Sequence, residues 1–520
     1  MKTQQIPQTR REFLTDVGRG MVTVAVGYSM ASELGLAAET EETVPARLEF
    51  GKLEPLVRLM QETPVTKLMP VLVEKLRSGV ALEQLVAAGA FANARTFGGE
   101  DYVGFHTMMA LAPAFHMARE LPVEQQALPI LKVLYRNTNR IQESGGKDHE
   151  VLHPVTAAVR PSDASPGPWL REAAHSKDAA RAEAAFAAVA DTPEDALDAL
   201  LQEVQDDTEV HRVVLPYRAW DLLGLIGFEQ ANTLLRQSVR YCVKAEPWRR
   251  AEPGSLLPRI LEEHKLLDAK LGIRAADDKW VDDLSTTIFN SSPEQAATAA
   301  AIALAEGMAP DAVGEAISMA ANQLILRDHG RTPNDEVTAK PIGSVHGDSI
   351  GVHACDSAGA WRNLARVARP RNTFACLILG AYQAALDRVN RGGDFLHWEP
   401  LPLARHVAEA KATDQEGLLR ELDVTVRGNL QAHATGIVQR YGQLGHDPKA
   451  VFDLLRGFAI SEDGALHAEK FFRTTTEEFA STRPAFRWRQ LCALARVTAS
   501  EYGRPAPGVA EAKELLKVSV

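Results

Sequence analysis

The chain has 520 residues, 45% hydrophobic and 24% charged, with a formal net charge of −11. That length suffices for two to four ordinary domains or one long array of repeated units, and the composition excludes a collagen-like or wholly disordered chain. No basic block or basic face accompanies the negative charge, so a partner with a phosphate backbone is excluded and no nucleic acid is expected.

The N-terminus reads as an address. Residues 9–14 are TRREFL, followed by an uncharged stretch from Gly20 to Ser32 and a small-residue exit at Gly35, Leu36 and Ala37. Those thirteen residues are too few to cross a hydrocarbon core of roughly 30 Å, so they fit a cleaved secretory signal and not a membrane span. Arg10–Arg11 with Phe13 and Leu14 resembles the twin-arginine translocation signal, with Thr15 where that pattern usually carries lysine. The resemblance covers residues 1–38. It implies export through the twin-arginine machinery, a periplasmic or otherwise exported location, and cleavage near residue 37. Substrates of that route travel folded, often with a cofactor already loaded, so a metalloprotein is implied. Residues 39–50 read as an acidic linker, and no later segment is apolar enough for a stable membrane span.

From residue 51 to 520 apolar residues recur at i, i+3, i+4 and i+7, while alternating strand patterns are scarce. The expectation is an all-α domain. Helix starts stand at DTPEDALDALL, APDAVGEAI and HDPKAVFDLL, each with proline in the first turn and an acidic residue close to the start. Segments beginning at Gly104, Glu209, Gly351 and Ala465 align with one another. Each has a leading histidine, His106, His211, His353 or His467, and a leucine about 24 residues later, Leu131, Leu235, Leu377 or Leu491. About four degenerate helical-hairpin repeats are therefore expected, over 51–142, 173–245, 293–390 and 415–503, stacked as a solenoid or closed helical toroid. Corresponding histidines could then converge. Two stretches rich in turn-forming residues, 143–172 and 328–348, read as long loops carrying function.

The cysteines, Cys242, Cys355, Cys376 and Cys492, form no CxxC pair or haem-attachment motif, which argues against zinc ribbons, iron–sulfur clusters and c-type haem. They are expected as buried thiols. In the first loop, HEVLH has the letters of the zinc-protease signature, but Gly145–Gly146 precedes His149 and Pro154 follows His153. A zinc protease needs both histidines on one continuous helix, and proline disfavours helix at the residue before it. His149, Glu150 and His153 are therefore placed at the mouth of a site rather than in a protease. The densest cluster, SVHGDSIGVHACDS, supplies His346, Asp348, His353 and Asp356, with Asp348 or Ser349 as a possible helix cap. DDTEVHR offers Asp207 with His211, and Tyr102 pairs similarly with His106. No GxGxxG, GxxxxGK[ST] or GxSxG element is present.

The sequence thus points to an exported, metal-dependent enzyme acting on a small organic substrate. Its ligands would come from His106, His211, His353 and His467, with His346, His149 and His153 as further candidates, and Glu150 or Asp356 would move protons. The expected cofactor is a transition metal, iron first, with zinc or copper as alternatives. An oxidoreductase is preferred because folded export suits a preloaded redox metal. A zinc-dependent hydrolase and a non-enzymatic helical-repeat binding protein remain the other readings.

Overall fold

In the computed structural model, residues 46–518 are described. The signal-like segment 1–38 lies outside them, as does most of the linker. From Leu48 onward the chain forms one unit. Among the described residues it is all-helical, with twenty-three α-helices and only isolated bridges such as Val337–Lys340 in place of strands. No described helix is long and apolar enough to cross a membrane.

Four helices can be matched in the same order within each of the stretches 51–142, 173–245, 293–390 and 415–503, the first and last of which hold a fifth. The first helices are Val65–Arg77, Ala179–Val189, Pro293–Ala305 and Gln431–Gln443, and the second are Leu82–Phe97, Pro193–Val204, Pro310–Arg327 and Pro448–Ser461. The third, which bear or directly follow the leading histidines, are Tyr102–Arg119, Val210–Ile226, Ile350–Val367 and Ala468–Ser481. The fourth are Ala127–Glu143, Ala231–Ala245, Pro370–Arg391 and Trp488–Glu501. Glu54–Glu62, Pro166–His175, Ala251–Glu263, Asp278–Asn290, Ala404–Glu409, Gln415–Arg427 and Val509–Leu516 fill the ends and connections.

Local chemistry accounts for the starts. Pro193, Pro310 and Pro448 each occupy the first helical turn, where the missing N–H costs nothing, and the side chains of Thr192 and Asp447 accept from the Asp195 and Lys449 amides. Segment 328–348 carries no helix, as expected. The other stretch differs: helix Pro166–His175 begins inside 143–172, because Pro166 and the preceding Ser165 make a helix start out of residues that also spell a turn.

The third helices are buried nearly all round: Gly104–Phe115, His211–Ala219 and Gly351–Arg362 are continuous buried runs. Each packs against the next in chain order, and the fourth packs against the first. Leu131, Leu235, Leu377 and Leu491 on the fourth helices are buried behind them. All four cysteines are buried free thiols.

Candidate metal centre

Because the leading histidines sit at or just before the N-terminal turns of the four mutually packed helices, their rings meet. Ring centroids follow a cycle, His106 to His211 4.8 Å, His211 to His353 5.5 Å, His353 to His467 5.1 Å and His467 to His106 5.1 Å. Nε2 of His211 lies 3.3 Å from Nε2 of His106, and Nε2 of His353 lies 3.0 Å from Nε2 of His467. One nitrogen from each of His106, His211 and His353 falls within 4.8 Å of the other two, the one grouping of this kind among the described residues.

The outward nitrogens fix the tautomers. Nδ1 of His106 is 2.7 Å from the Tyr102 carbonyl, Nδ1 of His467 is 2.9 Å from the Ala465 carbonyl, and Nδ1 of His211 is 2.7 Å from Oε1 of Glu209. Carbonyls and carboxylates only accept, so in these three rings Nδ1 carries a proton, and in the neutral rings of His106 and His467 Nε2 presents a lone pair. The lone pair of His106 Nε2 therefore faces Nε2 of His211 across a buried 3.3 Å gap that a shared proton or a metal cation would bridge. Two nitrogens bound to one metal at ~2.1 Å would stand ~3.0 Å apart at a right angle and ~3.4 Å apart at the tetrahedral angle. The observed 3.0 and 3.3 Å fall in that interval.

Burial holds His106 and His467 neutral: desolvation, then the charge of Lys470, pushes both imidazoles well below their ordinary range. Desolvation opposes ionisation of Glu209, but His211 and the Tyr241 hydroxyl, which donates at 2.5 Å, more than offset it and hold the carboxyl below its usual range. Glu209 also accepts from the amides of His211 and Arg212, so one carboxylate caps the helix and orients the ring. Tyr102 lies against His106 with centroids 4.4 Å apart, and Phe105 stands 5.0 Å from His211.

His467 reaches the centre through a strained turn. Gly464, Ala465 and Leu466 have φ of 53°, 48° and 66°, and two of the three are not glycine. Such residues cost on the order of 1–2 kcal/mol each and persist only where surrounding contacts impose them. Here buried Lys132 donates to the carbonyls of Ala459 and Glu462 and forms an ion pair with Glu469, bracketing the turn.

Other expected residues lie elsewhere. Both ring nitrogens of His346 are engaged, by Ser500 Oγ at 2.8 Å and the Ala339 carbonyl at 3.0 Å, and desolvation pushes the ring down to about 4. It is a structural histidine, not one of the converging rings. Asp348 pairs with Arg331 and Lys340, while Ser349 caps the helix. Asp207 pairs with Arg250 instead of His211.

HEVLH is not helical: a 3-10 turn, Gly146–Asp148, precedes it and His149 is extended and exposed. Glu150, expected to carry protons, is instead bonded to Gln61 and paired with buried Arg95 at 3.2 Å. The His153 carbonyl accepts from Arg236. Backbone bonds from Val151 and Leu152 to the Arg95 carbonyl hold this strand-like segment on helix Leu82–Phe97, which explains why the motif could not form a zinc-protease helix.

Asp356 is placed as expected, one turn after His353, buried and accepting from Thr474 Oγ1 at 2.7 Å. Burial raises its carboxyl while Lys470 opposes the rise. Sequence reasoning missed Lys470, although it follows His467 by three positions just as Asp356 follows His353. It also missed Glu209, whose signal was an acidic residue at the cap position directly before a histidine-bearing helix.

No family model, curated protein or solved structure matches this chain.

Proposed function

We propose that His106, His211, His353 and His467 bind one transition-metal ion, iron in first expectation, and that the protein uses it as an oxidoreductase on a small organic substrate. The observation that carries the reading is the pair of facing Nε2 atoms of His106 and His211, 3.3 Å apart, with Nδ1 protons committed to Tyr102 and Glu209. Imidazole ligands suit iron, copper or zinc better than calcium or magnesium. The bound metal would polarise water or activate oxygen, and Asp356 would hold and move a proton beside it. Redox chemistry and export rest on the twin-arginine-like residues Arg10 and Arg11, since folded export suits a preloaded metal.

The test is elemental analysis of protein purified without chelator, alongside His106→Ala/His211→Ala and His211→Ala/His353→Ala variants. About one equivalent of iron or copper in the parent, lost in both variants, supports the reading. Stoichiometric zinc would move it to a hydrolase. Absence of metal after reconstitution with each ion would leave a helical-repeat binding protein.

A further inference from the structure

Lys470 is 2% exposed, and among the described residues its Nζ makes neither a hydrogen bond nor an ion pair within 4.0 Å. It lies one turn after His467 on helix Ala468–Ser481, on the same face as Thr474, which bonds Asp356 one turn after His353, and its charge is the leading neighbouring charge on both His106 and His467. Burying an ammonium without a partner is costly, so charged side chains inside proteins are ordinarily paired.

The leading opposite charge acting on it is that of Asp356, with no ion pair formed within 4.0 Å, and the other neighbouring carboxylates hold other cations. Asp356 accepts from Thr474, Asp348 holds Arg331 and Lys340, and Glu469 lies 2.6 Å from Lys132. Arg218, buried on the same side and bonded to Thr474, is itself compensated by Asp221 and Glu477 and offers Lys470 no negative charge. Four helix N-termini also converge here, and the partial positive charge at each favours an anion. With a divalent metal bound, the positive charges of the metal and Lys470 exceed those of Glu209 and Asp356 by one unit. A single exogenous anion would neutralise the centre.

We propose that the ligand of this centre is an organic oxyanion, a carboxylate, enolate or phenolate, seated between the metal and Nζ of Lys470. This deepens the function proposed above and rests on it. The metal would take the oxygen as a ligand in a position the imidazoles leave open, and the ammonium would donate a charge-assisted hydrogen bond to it. Lys470 then selects ionised over neutral substrates of the same shape.

The probes are acetate and benzoate, with acetamide and benzamide as neutral counterparts, titrated into the full-length cobalt(II)-loaded protein and read by the visible absorption of the metal. Parent protein should bind each carboxylate about 10- to 100-fold more tightly than its amide, as expected for a hydrogen bond to a charged group. Lys470→Met should lose that preference and Lys470→Arg should keep most of it. Removing an unpaired buried charge should leave the melting temperature of Lys470→Met unchanged or raised, and Lys470→Gln serves as a second neutral variant should the methionine variant misfold. Equal affinity of carboxylate and amide in the parent, or undiminished carboxylate preference in a folded neutral variant, overturns the proposal. Cobalt content is measured on the same samples. Should the parent hold no metal, the metal reading falls, and calorimetry with acetate on the metal-free chain decides the oxyanion inference: binding lost in Lys470→Met sustains it, and absence of binding ends it.

Discussion

Lys132 offers a sharp test of how the chain closes around the centre. Its side chain and that of Glu469 are both fully buried, and Nζ lies 2.6 Å from Glu469, 2.7 Å from the Ala459 carbonyl and 2.5 Å from the Glu462 carbonyl. These contacts join helix Ala127–Glu143 of the first segment to the strained turn and histidine helix of the fourth, more than 300 residues away in sequence. Lys132→Met leaves the Glu469 carboxylate and two carbonyls in a dry interior with no donor. Breaking a buried pair from one side costs about 3–5 kcal/mol, whereas removing both charges is far milder. The expected result is a lower urea midpoint for Lys132→Met, equivalent to about 3–5 kcal/mol, with roughly 1–2 kcal/mol or more recovered in Lys132→Met/Glu469→Met. Because a chain of this length need not unfold in two states, the transition is followed by circular dichroism and tryptophan fluorescence together. A single variant within about 1 kcal/mol of the parent, or a double variant worse than the single, would refute the reasoning.

Three further outcomes are expected. Glu209→Gln should weaken metal binding about 10- to 100-fold in a competition titration with a chromophoric chelator, because the carboxylate that holds the His211 proton becomes a neutral amide. Glu501 is buried and pushed up to about 8, chiefly by desolvation, against an ordinary value of 4.5. Its folded-state affinity for a proton exceeds that of the unfolded chain, so the contribution is fully present below pH 4.5 and is lost at about 1.4 kcal/mol per unit as pH rises toward 8. Glu501→Gln should match the parent near pH 4.5 and exceed it in urea stability at pH 8, and parallel curves would contradict this. Finally, His149→Ala/His153→Ala should leave metal content unchanged, whereas Glu150→Ala should lower the melting temperature by removing one of the two carboxylates, Glu150 and Glu54, that flank the buried Arg95 guanidinium. Loss of metal in the histidine variant would return HEVLH to the centre.

Much of this architecture was legible because helices are local. Apolar periodicity and prolines such as Pro193, Pro310 and Pro448 specify where helices run and begin, using contacts within a few residues. The leading histidines were legible too, because each stands at a comparable place in a similar segment. Short-range pattern also misled: HEVLH has the right letters, but Arg95, more than 50 positions earlier, supplies the partner that turns Glu150 into a counter-ion. His346 and His353 are neighbours in one cluster, yet Ser500 and the Ala339 carbonyl take up the first, while the second meets His467.

By itself, then, the sequence determined the helical class, the helix starts and the four histidines worth watching, since propensity, capping and periodicity act over one or two turns. Only the tertiary structure decided that three of those rings converge with the fourth beside them, that Glu209 orients one of them, and that Lys470 is buried without an ion pair. Those facts depend on distances between residues 105 to 114 positions apart or more, along directions set by how the third helices pack. Hydrophobic burial selects that packing, and it is non-directional, so the local pattern of apolar residues cannot say which polar groups it will enclose together.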